Sequence, residues 1–203
     1  MSNQTKKFFI FIGRSGCGKG TQVELLKSKL ENDGYKKVLH ITTGGGFREF
    51  ISSDYYAAKI SKKINDEGGL QPEFLAVWNW ANIFIKTLTG EETVILDGAP
   101  RRVFEMMPLH GAIKFFGYEK PTVIYLDVKE STAKERLLGR GRGDDNEENI
   151  NLRMKWFETD VLDSIAEYMI DARYNVLHVN GEKSEQEIHK EIISKLDLID
   201  KNV

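Results

Sequence analysis

Apolar residues along this chain fall into two rhythms. Short, nearly continuous apolar runs recur at Phe8–Ile12, Val38–Ile41, Thr93–Leu96, Thr122–Leu126 and Asn175–Val179. Runs of this length, rich in β-branched and aromatic residues, predict five strands. Between them the apolar positions follow a helical period. The longest such stripe, Ile150, Met154, Phe157, Val161, Ile165 and Tyr168, advances in steps of three and four and predicts a helix with one buried face. Strands alternating with helices imply an α/β fold, a parallel five-stranded sheet with helices on both faces. Ligands of such sheets bind at the carboxyl ends of the strands. The loops after the five runs are accordingly polar or glycine-rich: Gly13 onward, Thr42-Thr43-Gly44, Asp97-Gly98-Ala99-Pro100-Arg101, Asp127, and Asn180-Gly181.

The 203 residues suit a single domain, with no internal repeat, low-complexity linker or boundary signal. With 29 basic against 31 acidic residues, no overall positive charge is available for nucleic-acid binding. No apolar run approaches the ~20 residues of a membrane span, and the polar stretch from Met1 to Lys7 has no signal-peptide character. Cys17, the single cysteine, has no intramolecular partner, which fits a reducing, cytoplasmic setting. His40, His110, His178 and His189 lack ligand spacing and are expected to serve ordinary surface or strand-edge roles.

The chemistry concentrates first in Gly13-Arg14-Ser15-Gly16-Cys17-Gly18-Lys19-Gly20-Thr21, where a strand stops in a glycine-rich loop and a helix begins. Glycines let successive N–H groups turn onto one concavity, and the helix N-terminus adds partial positive charge, which suits a phosphate chain. Lys19 supplies a mobile charge that can follow a transferring phosphoryl group, and Thr21 a hydroxyl for magnesium. Asp97 ends a predicted buried strand, where it can hold water on that magnesium or simply cap a turn. Arg101, presented by a turn that Pro100 stiffens, has the planar fork that matches phosphate oxygens. Arg136, Arg140, Arg142 and Arg153 surround an acidic run, and Gly139, Gly141 and Gly143 alternate with two of them. Individually these arginines suit a solvated turn; together they suit a hinged clamp closing on polyphosphate.

In this order the motifs resemble the adenylate kinases and related nucleoside monophosphate kinases over essentially the whole chain. The resemblance is carried by Lys19-Gly20-Thr21, by Thr43-Gly44 with Arg48, by Asp97-Gly98 with Pro100-Arg101, and by Arg136 to Arg153 with its acidic run. It looks most like the short-lid, eukaryote-cytosolic type. The resemblance implies a P-loop core (1–41, 72–138, 146–203), a mobile monophosphate-binding segment near 42–71, and a very short lid near 139–145. It implies ATP and Mg2+ as cofactors, with ATP on Gly16, Cys17, Gly18, Lys19, Gly20 and Thr21, Arg140 reaching it from the lid side, and Lys183 bordering the adenine. The monophosphate is expected on Thr43, Arg48, Gly98 and Arg101, its base near Gly69, Leu70 and Gln71 and faced by Glu105. Arg136, Arg142 and Arg153 are expected to embrace both phosphate groups, with Lys19 and Arg101 completing the catalytic set. Thr21 and Asp97, the latter through water, are the expected metal contacts. A cytoplasmic monomer that binds neither nucleic acid nor membrane is expected.

The chain departs from that pattern in several places. Arg14 and Ser15 replace the usual small residues and proline of the loop, and Arg14 is expected on its rim. Gly45 stands where the family usually has an aspartate, Ala99 where it has a phenylalanine, and only Gly141-Arg142-Gly143 separates Arg140 from Asp144. Glu105 replaces a glutamine that reads adenine. An ionised carboxylate only accepts, so it suits the adjacent N–H donors of guanine better, unless it is drawn off the base into a bridge with Arg101 or Arg102. Thr43 is the adenylate-type residue. The expected reaction is therefore ATP + AMP ⇌ 2 ADP. The alternatives are a GMP or pyrimidine monophosphate kinase, or a nucleotide-binding regulator without turnover.

Overall fold

The five apolar runs form one parallel sheet in the computed structural model, which describes residues 5–141 and 145–200. The strands are β1 (Phe8–Ile12), β2 (Val38–Thr42), β3 (Thr93–Asp97), β4 (Thr122–Asp127) and β5 (Asn175–Asn180), in the order β2-β3-β1-β4-β5. Each expected strand is present, and the last four extend one residue further at their carboxyl ends. The central strand, β1, carries the glycine-rich loop, so that loop is flanked by the ends of β3 and β4.

Strand side chains alternate between two hydrophobic layers, as the pleat requires. Phe8, Ile10 and Ile12 face one layer together with Trp80 and Phe84 of α4 (Glu73–Thr87) and Leu109 and Ile113 of α5 (Val103–Phe115). Phe9 and Phe11 face the other, with Val23 and Leu26 of α1 (Lys19–Asn32), Leu137 of α6 (Glu130–Arg140), and Ile188 and Ile192 of α9 (Glu185–Asp200). The helices α2 (Thr43–Ile51) and α3 (Tyr56–Asp66) stand apart on a small core of their own, Phe50, Ala58 and Leu75.

The six residues of the predicted long stripe are all buried, but they do not belong to one regular helix. α7 (Glu147–Trp156) places Ile150 and Met154 in the α1 layer; α8 (Leu162–Ile170) places Ile165 and Tyr168 in the α5 layer. One wide π turn, Phe157–Val161, joins them. The helix thus changes layers across the sheet.

A buried carboxylate before β3 anchors that strand. Glu92 accepts from the N–H groups of Thr89, Gly90 and Glu91 at 3.0–3.1 Å, and from the Thr89 hydroxyl at 2.5 Å. Burial pushes its carboxyl up, but these donors prevail and hold it at about 2. Because the folded value is depressed, the stabilisation is complete above pH ~4.5 and is lost as the pH falls toward ~2. Glu92→Gln is therefore expected to lower unfolding free energy by about 2–3 kcal/mol at pH 7, a gap that closes on acidification. Urea titrations of both chains between pH 7 and 3 measure it.

Candidate active site

Strand ends and helix N-termini converge on a cleft of about 1190 Å³ above the carboxyl edge of the sheet. Its floor at one end is the loop after β1. Gly16 has φ +85°, and a Cβ there would lie 2.4 Å from the Ala133 carbonyl, so only glycine lets the loop lie this close to α6. Lys19 folds back across the loop, its Nζ donating to the carbonyls of Gly13 (2.8 Å) and Arg14 (2.9 Å). Gly20 and Thr21 open α1 and are exposed to the cleft.

Two cations frame this end. Arg136 donates to the carbonyls of Cys17 (3.3 Å) and Gly181 (3.0 Å), spanning the phosphate loop and the loop after β5. Lys183 lies in that second loop, paired with Glu191 at 2.7 Å. Arg140 completes the last turn of α6, so Gly139 is helical, and the left-handed Gly141 caps the helix. Arg140 and Arg153 both bind Asp145, at 2.8 and 2.7 Å, which brings an arginine from either side of the expected lid onto one carboxylate. Arg142 and the centre of the expected hinge lie outside the described residues.

The opposite end is built from α2 and the loop after β3. The Thr43 hydroxyl donates to the Gly98 carbonyl at 2.9 Å, and the buried Asn79 amide donates to the Thr43 carbonyl at 2.9 Å. Arg48 reaches back over Gly44 and Gly45, and Gly69, Leu70 and Gln71 line the far wall. The Gln71 side chain is committed to Ser61, at 2.8 and 3.0 Å. Arg101 donates from Nε to the Gly98 carbonyl at 2.9 Å and lies over the Trp156 ring at 5.1 Å. Burial pulls its guanidinium downward, and Arg153 adds to this, against Glu105 and Asp97.

Asp97 sits between the two ends. Burial pushes its carboxyl up, but His40, Lys19 and Arg101 outweigh this and hold it below the usual carboxylate range. No group of three or more His, Cys, Asp or Glu gathers among the described residues. One carboxylate and the Thr21 hydroxyl are a sparse, hard-oxygen donor set. That fits magnesium, which keeps much of its water and is shared with phosphate oxygens.

Sequence reasoning missed several residues here. His40 is not an ordinary strand-edge histidine: it lines the cleft, with Glu24 at 3.0 Å and Asp97 at 3.9 Å. The available signal was its spacing, two residues before Thr42 and therefore on the same face of β2. Arg14 is not on the rim. It turns away from the cleft, its Nε donating to the Val128 carbonyl at 3.1 Å and its guanidinium pairing with Glu158 at 2.5 Å. Glu105 bridges neither arginine through its side chain; its Oε1 accepts the backbone N–H groups of Arg101 (3.2 Å) and Arg102 (3.3 Å), closing the N-terminus of α5. It still lines the cleft. Trp156 carried no sequence signal, yet it packs on Arg101 and donates to the Gly68 carbonyl at 3.3 Å.

A central strand ending in a phosphate loop, facing a second arginine-lined subsite across one open cleft, defines a P-loop phosphotransferase of the nucleoside monophosphate kinase class. Comparison with known proteins makes this narrower. The sequence profile of the family described as adenylate kinase matches residues 11–172. An adenylate kinase of Nautilia profundicola is 34% identical over 92% of this chain and 94% of its own length. That of Helicobacter hepaticus is 33% identical over 93% and 96%, and that of Campylobacter curvus 35% over 92% and 96%. The chain belongs to the adenylate kinase family.

Proposed function

We propose that this chain moves the γ-phosphoryl group of ATP to AMP, giving two ADP. The observation that carries the reading is the pairing of two phosphate-suited ends in one cleft, with Lys19 at one, Arg101 at the other and Asp97 between them. In this reading Gly16 through Thr21 cradle the ATP phosphates, and Lys183 borders its adenine end. Thr43, Arg48, Gly98 and Arg101 hold the AMP phosphate, and the backbone near Gly69, Leu70 and Gln71 borders its base. Arg136, Arg142 and Arg153 embrace both phosphate groups and Arg140 reaches the ATP from the lid side, once the nucleotides draw Arg140 and Arg153 from Asp145. Thr21 and, through water, Asp97 would hold magnesium, which would supply neutralisation of the developing charge. No general base is required, because the attacking oxygen of AMP is already anionic. The chain's own work is alignment and exclusion of water.

The helices α2 and α3, on their separate core, act as the mobile acceptor segment, and residues 139–145 act as the short lid. A monomer in the cytoplasm is the setting we infer. The single cysteine supports a reducing compartment, and no helix among the described residues is long and apolar enough to cross a membrane. The test is a coupled assay of the purified chain with MgATP against AMP, GMP, CMP and UMP. AMP is expected to be the preferred acceptor; turnover with another base alone, or with none, overturns the assignment.

Glu105 gives this selectivity a pH dependence. Burial pushes its carboxyl up, against the Arg101 and Arg102 N–H groups and charges. A neutral carboxyl offers adenine N1 a donor, and that donor is lost as the pH rises through its titration. Glutamine keeps a donor at every pH and an oxygen for the helix cap. Glu105→Gln is therefore expected to raise the AMP-to-GMP ratio of kcat/KM by roughly tenfold, as for one polar group no longer left unpaired. The gain should grow as the pH rises through the Glu105 titration. Ratios unchanged at every pH would leave Glu105 with only its capping role.

A further inference from the structure

The long helix passes from one layer of the sheet to the other between Met154 and Phe157, and the wide turn Phe157–Val161 follows at once, already in the second layer. Within it the Leu162 N–H donates to the Phe157 carbonyl, five residues back, so the turn carries more residues than an α-helical one. Its two core residues, Phe157 and Val161, are buried and fix it to the sheet. Its two acidic side chains leave in different directions. Glu158 pairs with Arg14 of the phosphate loop at 2.5 Å, and the Arg14 guanidinium also lies 4.2 Å from the centre of the Phe157 ring. Asp160 pairs with Arg102, beside Arg101 in the loop after β3, at 2.8 Å, and is itself held by the Thr159 hydroxyl at 2.7 Å. Just before the turn, Trp156 touches Arg101 and the carbonyl of Gly68.

One turn of helix therefore grips the loops at both ends of the cleft. We propose that the Phe157–Val161 turn is a positioning device that sets the donor loop, through Glu158 and Arg14, against the acceptor loop, through Asp160 and Arg102. Of these four residues only Arg102 lines the cleft; Arg14, Glu158 and Asp160 lie behind its wall. Arg14 acts through its own backbone: its carbonyl and that of Gly13 hold the Lys19 ammonium, so letting position 14 drift moves the charge meant for the transferring group. Arg102 acts through its neighbours, because its N–H and that of Arg101 share the Glu105 carboxylate, and Arg101 faces the cleft. The arrangement suits in-line transfer, where small misplacements of the reacting groups cost rate steeply. The Arg14 Nη1 has no hydrogen-bond partner and is buried, so losing Glu158 leaves that guanidinium still poorer in acceptors.

The proposal rests on the donor and acceptor assignment above, and the test separates the two. Michaelis constants for MgATP and AMP, kcat and melting temperature are measured for the wild-type chain, Glu158→Gln, Asp160→Asn and the double variant. Absence of AMP turnover in the wild type would sink the functional reading itself. Given that turnover, Glu158→Gln is expected to raise KM for ATP by roughly three- to tenfold with KM for AMP within about twofold. Asp160→Asn should do the reverse. Both should lower kcat, and the double variant should lose less than the product of the single losses, because one shared alignment is being spoiled. Arg14→Gln, approaching the same pair from the loop, should reproduce the Glu158→Gln pattern even if the helix variants fold poorly. Equal shifts in both Michaelis constants, multiplicative losses of kcat, or a lowered melting temperature with unchanged kinetics would each overturn the proposal.

Discussion

Lys19→Met is expected to lower kcat by roughly 10²–10³ while leaving the fold in place, the size of effect seen when one preorganised charge is removed from a transition state. The ammonium sits at the mouth of the β1 loop, held by backbone carbonyls and within the electrostatic reach of Asp97. Methionine keeps the unbranched stem and removes only the charge. The decisive comparison is between turnover and binding. ATP should still bind to the loop's N–H groups and to the α1 N-terminus, so kcat falls far more than affinity. Far-ultraviolet circular dichroism and the melting temperature report whether the fold survives. A variant that retains more than about a tenth of wild-type turnover would contradict the role given to Lys19.

Arg101→Ala should act at the opposite end. The guanidinium is fixed by the Gly98 carbonyl and the Trp156 face and is held among Asp97, Glu105 and Arg153. Charge-assisted bonds to phosphate are worth about 1.5–3 kcal/mol each, so KM for AMP is expected to rise roughly 10- to 100-fold. The dissociation constant for ATP alone, measured by calorimetry, should stay within about twofold. Collapse of ATP binding with AMP binding intact would mean that the two ends have been assigned in the wrong order.

Much of this molecule was legible in the sequence because its signals are local. The five apolar runs specify strands, and the loops that follow them must lie at one rim once the sheet is parallel. The glycines after Ile12 and the cations at Lys19 and Arg101 therefore belong at one rim, whereas Arg153 is brought there only by the resemblance to the adenylate kinases. The unread parts are those in which tertiary neighbours decide. The stripe from Ile150 to Tyr168 keeps an average helical period through Phe157–Val161, so periodicity contains no sign of the extra residue in that turn. Arg14 looked like a rim residue because nothing nearby in sequence could reveal Glu158. His40 carried its signal in strand register, which becomes meaningful only when β2 is paired with β3. Glu105 was readable as a helix-capping acid or as a base reader, and its geometry serves the first while leaving it at the cleft wall.

The two unequal cores imply that loss of function and loss of fold are separate events. β1 and its neighbours are sealed between two broad apolar layers, whereas α2 and α3 close on little more than Phe50, Ala58 and Leu75. Cooperative units this different in buried area come apart at different free energies. Under warming or mild denaturant, the helices that carry Thr43 and Arg48 would fray while the sheet and its phosphate loop persist. The chain would then pass through a state that still grips one nucleotide and has nowhere to seat the other.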